Sequence, residues 1–210
     1  MGLNDSQFTT DLTNAFGQTD WAQCATIMSK AIQDYVTSGE VSTKVNGTHM
    51  FPTSPGGSEP IINLNGKQGK VISLTSSGLT QKIMDAFKEQ KFEDAAKQIA
   101  TVTDIFVKSC TVFVNVYDPP YKGTGVAQVP TSTGPAPLPP IVPTGYSILE
   151  TAIILAFAIS MAPWSAFINA FSIGLKIYMT TCIVNTLDLG ALPVSAPPLT
   201  WFGLGIGSIS

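Results

Sequence analysis

Apolar residues return along this chain at offsets of three, four, seven, ten, eleven and fourteen from a starting aromatic in two stretches, and at all of these but eleven in a third. The first run is Trp21, Cys24, Ala25, Met28, Ala31, Ile32, Tyr35. The second is Phe92, Ala95, Ala96, Ile99, Val102, Phe106. The third is Trp164, Phe167, Ile168, Phe171, Gly174, Leu175, Tyr178. These offsets put each run on one face of an α-helix. Three long amphipathic helices are therefore predicted, with Trp21, Tyr35, Phe92, Phe106, Trp164 and Tyr178 as core residues. A shorter helical pattern precedes each long one and ends in an Ala-Phe pair: Ala15-Phe16, Ala86-Phe87 and Ala156-Phe157. Ser76-Ser77 is placed to cap the second of these.

After each long helix the period drops to two, at Val41 to Val45, Val112 to Val116 and Val184 to Leu189, which predicts short strands. The junctions read YVTSGEV from Tyr35, FVKSCTV from Phe106 and YMTTCIV from Tyr178, spaced by 71 and then 72 residues. A Pro/Gly-rich loop follows each time: GTHMFPTSPGGSEP, YDPPYKGTGVAQVPTSTGPAPLPPIVP and GALPVSAPPL. Each loop leads to a small apolar patch, GKVIS from Gly69, GYSIL from Gly145 and GSIS from Gly207, expected to form a closing strand. Unrelated amphipathic helices explain one matched ladder. They do not explain three, each followed by the same heptapeptide at a near-constant period. The expectation is an α+β fold of three tandem related modules in pseudo-threefold arrangement, each a helix pair followed by short strands and a Pro/Gly-rich loop. Their spans are residues 1–73, residues 74–145 ending in a Pro-rich arm, and residues 146–210, the last apolar and expected to be buried in an assembly.

Charge changes this picture at the C-terminal end. Of the 210 residues only 12% are charged, all 11 basic ones are Lys, and the net charge is −3. Without Arg there is no bidentate guanidinium recognition of phosphate, and with no Lys cluster an electrostatic nucleic-acid partner is not expected. From Gly123 to Ser210 the only charged residues are Glu150, Lys176 and Asp188. The start, MGLNDSQFTTDL, lacks the basic and apolar regions of a secretory signal. Cys24, Cys110 and Cys182 show no CxxC spacing and read as reduced, buried thiols.

Candidate chemistry is sparse. GLGIG, Gly203 to Gly207, has the glycines of a phosphate loop but no helix after it, so a glycine-faced strand against neighbouring backbone is expected instead. His49 is the only imidazole, in the turn-rich NGTHMFP, and a surface loop is expected there. Cys110 and Cys182 stand where the first copy has Gly39, which marks a small residue at a tight helix-to-strand junction. Glu89, Glu93 and Asp94 interleave with Lys88, Lys91 and Lys97 as ion pairs on a solvated face. No catalytic, cofactor or metal motif emerges.

The run YVTSGEVSTKVNGTHMFP, Tyr35 to Pro52, and the C-terminal WFGLGIGSIS resemble segments of small virion structural proteins of tailed bacteriophages. That resemblance implies a non-enzymatic building block of a tail, neck, baseplate or capsid surface, located in the virion after assembly in the host cytoplasm. Its partners would be other virion proteins or copies of itself. The expected interface residues are Trp201, Phe202, Leu204 and Ile206 of the terminal strand, with Pro139 and Pro140 of the arm. Two other readings stay open. One is a membrane-associated protein inserting residues 151–175, which are all uncharged. The other is an enzyme whose site the sequence does not reveal.

Overall fold

The computed structural model describes residues 2–50, 58–73, 78–89, 91–118, 121–126, 141–158, 164–192 and 199–210. In chain order the elements are α1 (Asp5–Phe16), α2 (Trp21–Ser38), β1 (Glu40–Met50), β2 (Ser58–Ile72), α3 (Leu79–Ala86), α4 (Phe92–Ser109), β3 (Thr111–Asp118), β4 (Tyr121–Val126), β5 (Ile141–Val142), α5 (Tyr146–Ala158), α6 (Trp164–Thr180), β6 (Ile183–Leu192) and β7 (Leu199–Ile209). The fold is thus mixed α+β, with six helices and an antiparallel sheet among the described residues.

Local chemistry sets the helix starts. Asn4 accepts a hydrogen bond from the Gln7 N–H at 3.2 Å, and Asp20 accepts one from the Ala22 N–H at 3.0 Å, each satisfying an otherwise orphaned donor. Before α3 the backbone of Gly78 has φ +93, a conformation that glycine adopts without a Cβ clash. Ser76-Ser77, the expected cap, lies outside the described residues. Glu93 and Asp94 occupy the first turn of α4 and Lys108 its last, both favourable to the helix dipole.

The sheet runs β4-β3-β2-β1-β7-β6-β5, and β4 also pairs with β6, from Lys122 opposite Ala191 to Val126 opposite Leu187. That extra pairing curls six strands into a closed antiparallel barrel, which removes free edges. The two-residue β5 pairs with the start of β6, ahead of where β4 joins it, Ile141 opposite Val184. The helices close in the same way: each packs on its neighbour in chain order, and α6 returns to α1. Every long helix runs into the first strand of a hairpin, α2 through Gly39, α4 through Cys110 and α6 through Thr181 and Cys182. It then touches the closing strand, α2 with β2, α4 with β5 and α6 with β7. One hydrophobic core joins residues from all three thirds of the chain.

Several expectations change here. Tyr35, Phe106 and Tyr178 are buried, but Trp21 is 55% exposed and Trp164 43% exposed. Each is the first residue of its helix, beyond the packed part of the ladder, and packs on rings at the surface instead: Trp164 stacks on Phe16 at 4.7 Å and Trp21 meets Phe87 at 5.2 Å. The side chain of Phe92 lies outside the described residues. GYSIL is not a strand, because α5 starts at Tyr146; the closing pair is Ile141–Val142. His49 is not in a loop but within β1, opposite Glu59 and Trp201. Strands also reach further into the Pro/Gly-rich stretches than period-two patterning suggests, with β4 inside YDPPYKGTGV.

Candidate interaction surface

The last strand alternates in an unusual sense. Leu204 and Ile206 point away from the barrel, 57% and 60% exposed, while Gly205 between them is buried. The reason lies on the inner side: a Cβ at Gly207 would stand 1.8 Å from the Ser42 carbonyl oxygen. The wall at that point admits only backbone, so there β7 carries Leu204 and Ile206 outward. Trp201 and Phe202 are paired within β7, opposite His49 and Gly190 and opposite Thr48 and Leu189; their side chains lie outside the described residues, as do Pro139 and Pro140.

On the neighbouring β6, Leu187 faces Leu204 across the ladder and exposed Ile183 begins the strand. Above it on α6, Ile173 and Ile177 are exposed four residues apart, on one helical face. Ile148 and Leu155 are exposed on α5. Sequence reading singled out none of these helical positions. The available signal was the set of off-ladder positions: offsets nine and thirteen hold Lys30 and Asp34 in the first run but Ile173 and Ile177 in the third.

Two polar knots tie the helices together. Asp5 accepts from the Tyr35 hydroxyl at 2.8 Å and from Lys176 at 2.5 Å, joining α1, α2 and α6. Partial burial pushes the Asp5 carboxyl up, but the hydrogen bonds from Lys176 and Tyr35 and the Lys176 charge outweigh it and leave it below the usual value. The second knot is deeper. Asp104 is buried and accepts from the buried Tyr178 hydroxyl at 2.8 Å and from Lys108 at 2.6 Å. Burial first, then the Asp104 carboxylate, push the Tyr178 phenol up.

The thiols are inert by their surroundings. Burial pushes Cys24 up to about 11 and Cys110 and Cys182 up to about 12, and a protonated thiol is a poor nucleophile. A cleft of about 720 Å³ opens between the N-terminal residues and the start of the first hairpin, lined by Asn4, Thr37, Ser38, Glu40 and Lys70. Among the described residues no group of three or more His, Cys, Asp or Glu is placed to hold a metal ion. No helix there is long and apolar enough to cross a membrane. The described part of residues 151–175 falls on α5 and α6, which pack together closely enough that a Cβ on Gly174 would lie 2.3 Å from the Ala152 Cβ. Comparison with protein-family models, curated protein sequences and solved structures finds no match to this chain.

Proposed function

We propose that this chain is a non-enzymatic structural subunit of a bacteriophage virion, built from three tandem copies of one module around a pseudo-threefold axis. Its third module, residues 146–210, is the part that docks. Support for the triplication comes from matched buried positions. Phe8, Leu79 and Leu149 are buried at one step of the short helix, and Leu12, Ile83 and Ile153 at the next. Met28, Ile99 and Phe171, then Tyr35, Phe106 and Tyr178, are buried at matching steps of the long helix. Strand register agrees with these matches. Two residues beyond Gly39, Cys110 and Cys182 stand Val41, Val112 and Val184, paired with Ile209, Val71 and Ile141 respectively. All six are buried.

One observation carries the docking role. Eleven large hydrophobic side chains are exposed among the described residues, and eight of them belong to the third module: Ile148, Leu155, Trp164, Ile173, Ile177, Ile183, Leu204 and Ile206. Scattered exposed apolar residues are ordinary, but their concentration in one third of a chain is typical of a surface awaiting a partner. The same third holds almost no charge, and charged residues are depleted from interface centres because burying them unpaired is costly.

The test is incorporation. Leu204→Lys with Ile206→Lys places two charges on an already exposed wall, so the chain should fold, with unchanged circular dichroism, and fail to enter the particle. Normal incorporation of that variant, with its C-terminal strand accessible to protease, would remove the support for the reading.

A further inference from the structure

Six described apolar positions lie on α6 and on the two strands that follow it, β6 and β7. On the barrel, Leu204 stands directly opposite Leu187, and Ile206 lies diagonally from Ile183, whose direct partner is Ser208. Above them, Ile173 and Ile177 share a face of α6, and the chain passes from that helix into β6 through Thr181 and Cys182. The five exposed members present on the order of 500 Å² of apolar surface, the size of the largest patch on a monomer, which is often functional. A standard protein–protein interface buries about 800 Å² per partner, somewhat over half of it apolar. The strip therefore has the size of one side of such an interface.

Charge narrows the occupant. Among its described side chains the strip contains no carboxylate; its ammonium, Lys176, is held by Asp5, and Lys44, opposite Ile206 on the adjoining β1, bonds Asn65. A twofold interface brings a surface against itself, so any net charge there would face its own kind. An apolar strip with Lys176 neutralised within the chain and Lys44 at its edge, where interfaces tolerate charge, meets that condition. The matching face of the first module does not: Lys30, Asp34 and Glu40 occupy the positions of Ile173, Ile177 and Ile183. From this strip we infer that two copies of the chain pair side by side through α6, β6 and β7 around a twofold axis. The pairing uses one of three module faces, so it stops at a dimer. This rests on the reading of the third module as the docking part and names its partner as a second copy.

Sedimentation equilibrium of the purified full chain tests the pairing. The wild type should pass from monomer to dimer with concentration, and Ile206→Lys should weaken that association at least about tenfold while the melting curve stays in place. Leu204→Lys and Leu204→Glu should each be monomeric alone and form a mixed dimer when combined. A wild type that stays monomeric to hundreds of micromolar overturns the pairing, as does a dimer indifferent to Ile206→Lys. The docking role is read separately, by incorporation. A monomeric wild type whose Leu204→Lys, Ile206→Lys variant is still excluded from the particle leaves that role standing with another virion protein as partner. A dimer abolished by the same double change, with normal incorporation, sinks the docking role but not the pairing. Binding of the monomer to phosphatidylglycerol vesicles would assign the strip to a membrane and refute the pairing.

Discussion

Helices α2 and α6 present the same ladder to the core and opposite characters to the outside. Inward, Met28 matches Phe171, Ile32 matches Leu175 and Tyr35 matches Tyr178, all buried. Outward, α2 carries the Lys30–Asp34 ion pair, 2.5 Å long with both side chains more than half exposed, where α6 carries Ile173 and Ile177. An exposed pair of that kind is screened by solvent and contributes little, so losing it costs the helix little. The two helices therefore differ in what each outer face can meet, while the packing beneath is alike. Inward positions specify the fold and outward positions specify what it can meet, and two helices with matched ladders let one be compared against the other.

The inward match is the place to break the comparison hardest. Phe171 is fully buried among Phe8 and Phe167, and Phe171→Ala should cost about 3–5 kcal/mol by loss of transfer energy and creation of a cavity. Trp164, the exposed end of the same ladder, should lose only about 1 kcal/mol on conversion to Ala, largely its stacking on Phe16. Urea denaturation of both variants checks the ratio; equal losses would mean that Trp164 belongs to the core after all.

The two tyrosines at the ladder ends sharpen it next. Tyr178 donates to Asp104, which is buried and depends on two donors, whereas Tyr35 donates to Asp5, whose side chain is 45% exposed. Tyr178→Phe should therefore cost about 1.5–3 kcal/mol, the range for hydrogen bonds to charged groups, and Tyr35→Phe about 1 kcal/mol or less because water can replace the donor. Thermal unfolding of the pair would contradict this if Tyr35→Phe proved the more damaging.

These residues also mark how far the sequence could be read. Ladder positions were legible because burial repeats with the helical period, and the small residue at Gly39, Cys110 and Cys182 was legible because the junctions align. Closure of the barrel was not: the pairing of β1 with β7 and of β4 with β6 joins strands far apart in the chain, and no local period encodes which edge meets which. The exposed tryptophans were misplaced because periodicity describes a face but not where along a helix the packed neighbours end. Charge asymmetry drew attention to the terminal Leu204 and Ile206, which are exposed. The reason they point outward, the close approach of Gly207 to Ser42, was visible only once β7 was paired with β1.

Transplanting one outside onto the other isolates the difference. Ile173→Lys with Ile177→Asp reproduces on α6 the pair that α2 carries at Lys30 and Asp34. Both positions are exposed, so stability should move by no more than about 0.5 kcal/mol, while solubility rises. A large destabilisation on urea titration would show that Ile173 and Ile177 serve the fold rather than a partner.

The smallest effect concerns the salt link where the ring of helices closes. Asp5 on α1 and Lys176 on α6 are both about half exposed, so their attraction is screened and its net worth is small at neutral pH. Its signature is in the pH dependence. The folded carboxyl titrates below its ordinary value of 3.8, because the bonds from Lys176 and Tyr35 outweigh desolvation. As pH falls, the unfolded chain takes up its proton first. The stabilisation is present above the unfolded value and disappears as pH drops through the lower folded one. Asp5→Asn removes that titration, so its stability should fall less steeply than the wild type below about pH 4, with the two nearly level at neutral pH. Parallel acid-denaturation curves would show that the Asp5 link does not help hold the first and last helices together.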